Sequence, residues 1–534
     1  MASATDLHAE LILLASTSLS ARLRRISFHA VMNALYERLL RFPEEADLLP
    51  SGPLFDLRER RALEAADGFR FNNVHLSWPA ANAPWRWPPE DFAAYDAMLE
   101  RELPGLRVIG AGWGMSKLTH PKRGGGLLIT AGQETALQTP VRWKDPGSRV
   151  RCMLGATFRD VNEFLYAEAP ARSLANQPGF ADLSVAGCIG AGGHGSSIGL
   201  GPLASMVESI TLPPAQRGDD AVEIPRSDPR FDYVTTHLGR LGPILAMDLA
   251  ARSRYRIHET RTLCVLGKKK GWRTELQDLV ERAVHLQERD HEVHSTEIWI
   301  APYVDDGELV TVLGTRTRTD DAPRGGRPAV IRSRALQVLG QLAVSFVSIA
   351  EPDWIRGVLR RTVRATVDDD AVLEAPDGLD FGAPNDNPMG AIEMAIDISS
   401  RIDATPIVRV IDALEALSRS ERFVFSPMGV RFVGRGPDHG LGPHQGRTRT
   451  MHIEIPTFAD EHLFHGDEVL PSLQRLLAGL GGRPHWGQRI YLSPDELRAL
   501  WPAEEIEAMR RVVLERDPAG LFANDLVDQV LGIP

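Results

Sequence analysis

The stretch from Leu183 to Leu203, LSVAGCIGAGGHGSSIGLGPL, holds seven glycines in twenty-one residues, with one histidine and a serine pair. A packed helix or an ordinary strand is not expected from it. Glycine adopts positive φ without penalty and lets other groups approach the backbone closely. Successive N–H groups in such a loop form an anion-binding concavity. Taken alone the stretch also fits an elaborate surface loop, because glycine-rich fingerprints are weakly specific.

A second glycine turn lies upstream, in Arg107-Val-Ile-Gly110-Ala111-Gly112-Trp113-Gly114-Met115-Ser116. It follows a segment that reads as helical, Pro89 to Glu102, and is entered from a short apolar strand. A further apolar run, Gly126-Leu-Leu-Ile-Thr130, comes after it. Two glycine turns, each fed by an apolar strand, suit a diphosphate held by backbone amides from two sides. Neither is a GxGxxG opening a long helix in a βαβ unit, which argues against a nicotinamide-type Rossmann site. GxxxxGK[ST] is absent, which argues against a nucleotide-hydrolysing P-loop.

This pair of loops resembles the FAD-binding region of the vanillyl-alcohol oxidase, or PCMH-type, flavoprotein superfamily. The likeness is strongest to its aldonolactone and alditol oxidases and to the covalent-flavin type of cholesterol oxidase. It continues in His237-Leu-Gly-Arg-Leu-Gly-Pro-Ile-Leu245, in Arg483-Pro-His-Trp-Gly-Gln488 and in Asp517-Pro-Ala-Gly-Leu-Phe-Ala-Asn524. The resemblance implies an α+β fold: a two-subdomain PCMH-type FAD-binding domain plus a cap domain with an antiparallel sheet backed by helices.

Composition narrows the class. Hydrophobic residues make up 43% and charged residues 25% of the 534, ordinary for a globular protein. A net charge of −11 argues against a general nucleic-acid surface. Arginine clusters at 252–261 and 356–364 read as solvated helix faces. Three widely spaced cysteines (Cys152, Cys188 and Cys264) make neither a disulfide framework nor a zinc set. The apolar run Leu11–Ala15 is short and lacks a basic leader, so neither a secretory signal nor a membrane span is expected, and the cytoplasm is the default location.

Along the chain, residues 1–66 read as a helical extension with apolar residues near helical spacing. It is expected to pack outside the flavin domain or to help form a homodimer. Residues 67–259 read as the FAD-binding domain, with an entry strand at Phe71–Trp78, a strand at Val150–Gly155 and a helix capped by Thr157. Residues 260–480 read as the cap. Its candidate helices are Gly271–Arg289, Arg332–Ser348, Pro406–Ser418 (capped by Thr405) and His465–Leu480. Its candidate strands are His294–Pro302, Leu309–Arg316, Ala391–Ile398, Phe423–Val433 and Thr450–Pro456. Asp368–Asn387 reads as a loop. Residues 481–534 read as a segment returning to the flavin domain.

By resemblance, FAD is held by Gly110–Ser116 and by Ser184, Gly187, Gly190, Gly193, His194, Gly195 and Ser196. Gly242, Ile244 (toward the adenine end) and Gln488 complete that set. His194 also fits a plain role in hydrogen-bonding its loop. Covalent branches place a histidine where Trp113 stands, so non-covalent FAD is expected; Cys188 and His120 are the other residues that would have to carry a link.

Catalysis departs from the family pattern. Relatives carry a Glu-x-Arg pair in a phrase like P-x-E-x-R-F, whereas this chain has Ser426-Pro-Met-Gly429-Val-Arg431-Phe. Arg431 is retained, on the same strand face as Gly429. A guanidinium polarises an oxygen but does not accept a proton. Gln488 stands where HWGK has its lysine. Candidates for the missing base are Glu454 and His452, which alternate onto one face, His485 of the HWG signature, and Glu297; an ordinary structural role is open for each. The expected activity is hydride transfer from a small organic substrate to FAD, with O2 or another acceptor regenerating the cofactor. A flavin-dependent cyclase, a C–C bond-forming or dehydrating enzyme, and a non-catalytic flavin-binding protein are the alternatives.

Overall fold

Among the described residues the strands form three sheets. This computed structural model describes residues 106–120, 140–215, 220–325, 352–367, 370–380, 389–437, 440–458 and 466–534, with a few shorter pieces before position 130. The expected entry strand at Phe71–Trp78, the helices Pro89–Glu102 and Arg332–Ser348, and most of residues 1–66 lie outside the described residues.

The smallest sheet is parallel and joins β1 (Trp85–Arg86), β2 (Leu106–Ile109) and β3 (Gly126–Ile129) in the order β1-β3-β2. β2 runs straight into the first glycine turn. The second sheet is antiparallel. It contains β4 (Val141–Asp145), β5 (Arg149–Met153), β6 (Arg172–Leu174), β7 (Val207–Leu212), β8 (Val222–Pro225) and β9 (Ala246–Ser253). Its order is β4-β5-β9-β7-β8, with β6 also on β9. The helix Phe158–Ala167 begins with a reciprocal cap: Thr157 Oγ1 accepts from Asp160 N, and the Asp160 carboxylate accepts from Thr157 N. Such a box contributes about 1 kcal/mol. Phe158, Val161 and Leu165 then bury one face of the helix in the core shared with this sheet.

The third sheet has eight strands, all paired antiparallel: β10 (Arg256–Leu266), β11 (Val293–Ile300), β12 (Leu309–Thr319), β13 (Ala371–Glu374), β14 (Met389–Asp397), β15 (Met428–Gly434), β16 (Arg449–Phe458) and β17 (Arg483–Pro484). Their order is β13-β10-β12-β11-β15-β16-β14-β17. Alternation along each strand sends Ile298, Val430, Ile453 and Met394 into a core shared with the helices Trp272–Arg289, Pro352–Ala365, Thr405–Ser418 and Gly466–Gly479. The intervening residues Glu297, Arg431, His452, Glu454 and Glu393 therefore point the other way. One face of this sheet is apolar and helix-covered; the other carries charge.

Four local expectations are corrected. The glycine-rich stretch contains a six-residue helix, Val185–Gly190. Packing overrides propensity there, since Gly187 and Gly190 sit where Ser184 and His237 press against the backbone. Asp368–Asn387 is not wholly loop: β13 pairs with β10, and a short helix, Ala375–Leu379, follows with Pro376 in its first turn. Glu374 anchors this edge to Arg254 and Arg256. The arginines at 252–261 lie on β9, on β10 and, for Arg254, in the turn between them rather than on a helix, and Arg261 is fully buried against Glu259 and Glu297. Lastly, the helix capped by Thr405 in the sequence reading starts one residue earlier: Ala404 is the cap, and Asp403 Oδ1 accepts from Thr405 N at 2.8 Å.

The C-terminal segment is tied to the second sheet's domain by a buried ion triad. Arg240 contacts Asp517 and Asp528, each at 2.6 Å. Arg107 sits beside it and donates to the carbonyls of Leu118, Gly239, Leu238 and Phe522. Three separate sequence motifs are thus held together by two buried guanidinium groups.

Candidate functional site

The two glycine segments touch each other. A Cβ on Gly110 would lie 1.9 Å from Ser184 Oγ, so only glycine lets the end of β2 reach the start of the helix Val185–Gly190. Between them opens a cleft of about 1370 Å³ including its mouth. Its floor is the whole turn Gly110–Ser116 together with Ser184, Gly187, Gly190, Gly193 and His194. Its roof is the charged face of the eight-stranded sheet, through Glu393, Arg431 and Glu454, with His485 and Gln488 beside them.

The cleft suits FAD by its backbone chemistry. The amides of Ala111, Gly112 and Trp113 donate to no group among the described residues, and a dinucleotide's phosphates are acceptors of the kind such amides hold. Arg107 lines the same cleft and donates to carbonyls rather than to a carboxylate, so its charge lies under the turn.

Other residues named from the sequence lie elsewhere. Gly195 packs on Asn176, and Ser196 Oγ donates to Thr296 O at 2.9 Å, so both stand behind the cleft wall. Gly242 packs against the Phe522 ring, and Ile244 is part of the core. Glu297 is enclosed by Arg316 and Arg261. Burial would raise its pKa, but those two cations outweigh burial and hold it below the usual carboxylate value. His452 is fully buried behind Glu393.

Within the cleft, Arg431 Nη2 donates to Glu454 Oε2 at 3.0 Å, and Gln488 Nε2 approaches Glu454 Oε1 at 3.4 Å. Gly429 and Glu454 are directly opposed on β15 and β16. A Cβ on Gly429 would lie 3.6 Å from Glu454 Oε2. The Glu454 carboxylate therefore stands over the position where the family pattern has its glutamate. Burial pushes its pKa upward; Arg431 opposes that and Glu393 reinforces it. His485 is pushed down to about 4 by burial, and its Nδ1 accepts from Gly487 N at 3.0 Å.

Glu393 was not singled out from the sequence. It lies opposite Glu454 on β14, with Oε1 2.8 Å from His194 Nε2 and 3.2 Å from His452 Nδ1. Burial raises its pKa, yet the neighbouring rings of His194 and His452 outweigh burial and keep it well below the usual carboxylate range. The signal in the sequence was one acid inside the apolar run Ala391-Ile-Glu-Met-Ala-Ile396.

Comparison with known proteins agrees with this geometry. The D-arabinono-1,4-lactone oxidase family model matches residues 267–530. An alditol oxidase of Streptomyces sp. (strain IKD472 / FERM P-14339) is 25% identical over 441 residues, covering 81% of this chain and 92% of that protein. An L-gulono-1,4-lactone dehydrogenase of Mycobacterium tuberculosis (strain CDC 1551 / Oshkosh) is 25% identical over 477 residues, covering 84% and 98%. Among solved structures, a solvent-stable cholesterol oxidase superposes with a TM-score of 0.65 at 15% identity, covering 84% of this chain and 95% of that one. A cholesterol oxidase from B. sterolicum superposes with a TM-score of 0.62 at 16% identity, covering 84% and 94%. Among the described residues no helix is long and apolar enough to cross a membrane. Two glycine turns meeting under a charged sheet, together with these likenesses, fit the PCMH-type FAD oxidase superfamily and support an FAD-dependent oxidoreductase.

Proposed function

We propose that the protein oxidises a CH–OH group of a polyol or an aldonolactone, with FAD bound non-covalently. One observation carries this reading: the Glu454 carboxylate stands over Gly429 and is bonded to Arg431, so the acid–guanidinium pair of the polyol- and lactone-oxidising branch is present with its acid supplied from the next strand. FAD would supply the hydride acceptor. Arg431 would hold the substrate oxygen, and Glu454 would take the hydroxyl proton. A carboxylate whose pKa is raised toward neutrality is a better base than an ordinary one. His485 is a poorer choice, because its Nδ1 already accepts a backbone N–H. His452 lies out of the cleft.

In this reading residues 67–259 and 481–534 hold the cofactor and residues 260–480 hold the substrate. Absence of a covalent link is supported by two features. Trp113 stacks on Phe180, with ring centroids 5.1 Å apart, where covalent branches place a histidine. Burial pushes the Cys188 thiol up to about 12, and a thiol rather than a thiolate is a poor nucleophile. The alditol and lactone names of the sequence relatives supply the substrate class.

The test is anaerobic mixing of the FAD-loaded protein with alditols and with aldono-1,4-lactones. Bleaching of the flavin's visible band by one class is the expected result. Peroxide formed on admitting air would make the protein an oxidase, and turnover only with an artificial acceptor a dehydrogenase. A flavin that a chemical reductant bleaches but neither substrate class does would contradict the proposal.

A further inference from the structure

The roof of the cleft is short of hydrogen-bond donors. Glu393 Oε1 and Gln488 Oε1 are buried atoms of cleft-lining residues, and nothing among the described residues donates a hydrogen bond to either. Glu454 fixes which end of the Gln488 amide is left over: a carboxylate only accepts, so Nε2 faces it and Oε1 does not. Glu393 is 3% exposed, and the His194 and His452 rings lie 2.8 and 3.2 Å from its Oε1 without hydrogen-bond alignment. Buried polar groups nearly always have partners, and a buried charge without one is costly. Two orphan acceptors in one cleft mark places that a bound molecule completes.

The roof also carries an unbalanced negative charge. Its charged side chains are Glu393, Arg431 and Glu454, and Arg431 is bonded to Glu454. No guanidinium or ammonium group among the described residues is bonded to Glu393. Burial pushes His485 down to about 4 and His452 to about 3, so neither ring balances it near pH 7. FAD does not balance it: the phosphates are anionic, and the oxidised ring is neutral with a single N–H, enough for one of the two orphan oxygens. Ligand atoms of His194, Glu393 and His485 lie within 4.8 Å of one another, a spacing that would suit a metal ion. However, His485 Nδ1 accepts the Gly487 N–H, so the ring's own hydrogen is on Nε2 and that nitrogen has no lone pair to give. The remaining pair falls short of the three protein ligands of a catalytic zinc site. A protonated amine needs no such set; it brings one positive charge and three donors.

We propose that Glu393 is a specificity residue for a protonated amine, and that the substrate is an amino polyol whose ammonium group seats on Glu393 while its CH–OH group reaches Arg431 and Glu454. This rests on the oxidation proposed above and narrows its substrate. Glu393 and Glu454 are directly opposed on β14 and β16. Such residues have Cβ positions about 5 Å apart, so the amine belongs one or two carbons from the carbon that is oxidised. The chemistry is unchanged: a hydride leaves that carbon for FAD, the hydroxyl proton passes to Glu454, a carbonyl forms, and the ammonium keeps its protons.

The test mixes the FAD-loaded protein anaerobically with 2-amino-2-deoxy-D-glucitol and with D-glucitol. In parallel, n-butylammonium, which has no hydroxyl to oxidise, is titrated against the flavin spectrum. The amino polyol is expected to bleach the flavin at a half-saturating concentration roughly 10²-fold below that of D-glucitol, and butylammonium to perturb the spectrum saturably. Both effects should collapse in Glu393→Gln, compared at equal FAD content, and return in part in Glu393→Asp. If Glu393→Gln loses FAD, the wild-type comparison of the two polyols decides. Equal half-saturating concentrations would overturn this inference and leave the oxidation standing. Saturable, Glu393-dependent binding of butylammonium with bleaching by neither polyol nor lactone would uphold the amine site and contradict the oxidation. A stoichiometric metal ion in the purified protein, or no response to any of the three compounds, would overturn the amine site.

Discussion

Glu454 on β16 reaches diagonally to Arg431 on β15, with Oε2 3.0 Å from Nη2, over the bare Cα of the directly opposed Gly429. An acid supplied by one strand can thus stand in for an acid absent from its neighbour, because directly opposed residues of an antiparallel pair have Cβ positions only about 5 Å apart. This predicts that the acid can be moved back. In a Glu454→Gly background, Gly429→Glu should recover part of the activity that the single Glu454→Gly change removes. A Cβ at 429 meets nothing closer than 3.6 Å, so the swap has room. Steady-state kcat/KM of the single and double variants checks it.

The raised pKa of Glu454 has a kinetic consequence. The base must be ionised to take a proton, so the rate of flavin reduction should rise with pH through a pKa above the ordinary carboxylate value and fall off on the acid side. Replacing Arg431 by Met removes the cation that opposes burial, and should move this acid limb to higher pH as well as lowering the rate. A pH–rate profile from rapid mixing measures both.

Acid stability should reflect the buried rings. His237 and His485 are pushed down to about 4, and His294 and His452 to about 3, in each case mainly by burial. The unfolded chain takes up protons on these residues near pH 6.5 while the folded chain does not. Their contribution to stability is therefore complete above about pH 6.5 and is lost as pH falls toward about 4 for His237 and His485 and toward about 3 for His294 and His452. Denaturant midpoints measured from pH 7.5 to 4.5 should fall, with a shallower slope in His294→Gln.

The Arg240 triad makes a mutational prediction that does not concern the cleft. Arg240→Met leaves Asp517 and Asp528 buried without their shared cation, a loss of roughly 3–5 kcal/mol. Chemical denaturation measures it. Gly110→Ala should act differently, weakening FAD binding more than stability, because its methyl group would collide with Ser184 at the junction of the two glycine segments. Titration of the apoprotein with FAD separates the two effects.

The features legible in the sequence were those in which a local pattern carries the physics. Glycine spacing marked the two turns. Alternation marked the shared face of Gly429 and Arg431, and of His452 and Glu454, which the register reproduces. Longer-range pairings were not legible. Glu393 looks like any acid on an amphipathic strand until β14 is laid beside β16 and the His194 loop comes beneath it. Arg240 and Asp517 each belonged to a motif noted from the sequence, but nothing local shows that the two motifs bond to each other. The burial of Arg261 and Glu297 was not legible for the same reason, since an arginine in that cluster reads as solvated, and an acid on a strand as a candidate base, until the facing partners Glu259 and Arg316 are known.

The most direct measurement is the anaerobic rate at which substrate bleaches the flavin in the wild type and in Glu454→Gln, compared at equal FAD content. Loss of a general base predicts a rate roughly 10²–10⁴-fold slower in the variant, with flavin still bound. A Glu454→Gln protein that bleaches at the wild-type rate would contradict the placement of the catalytic acid on β16.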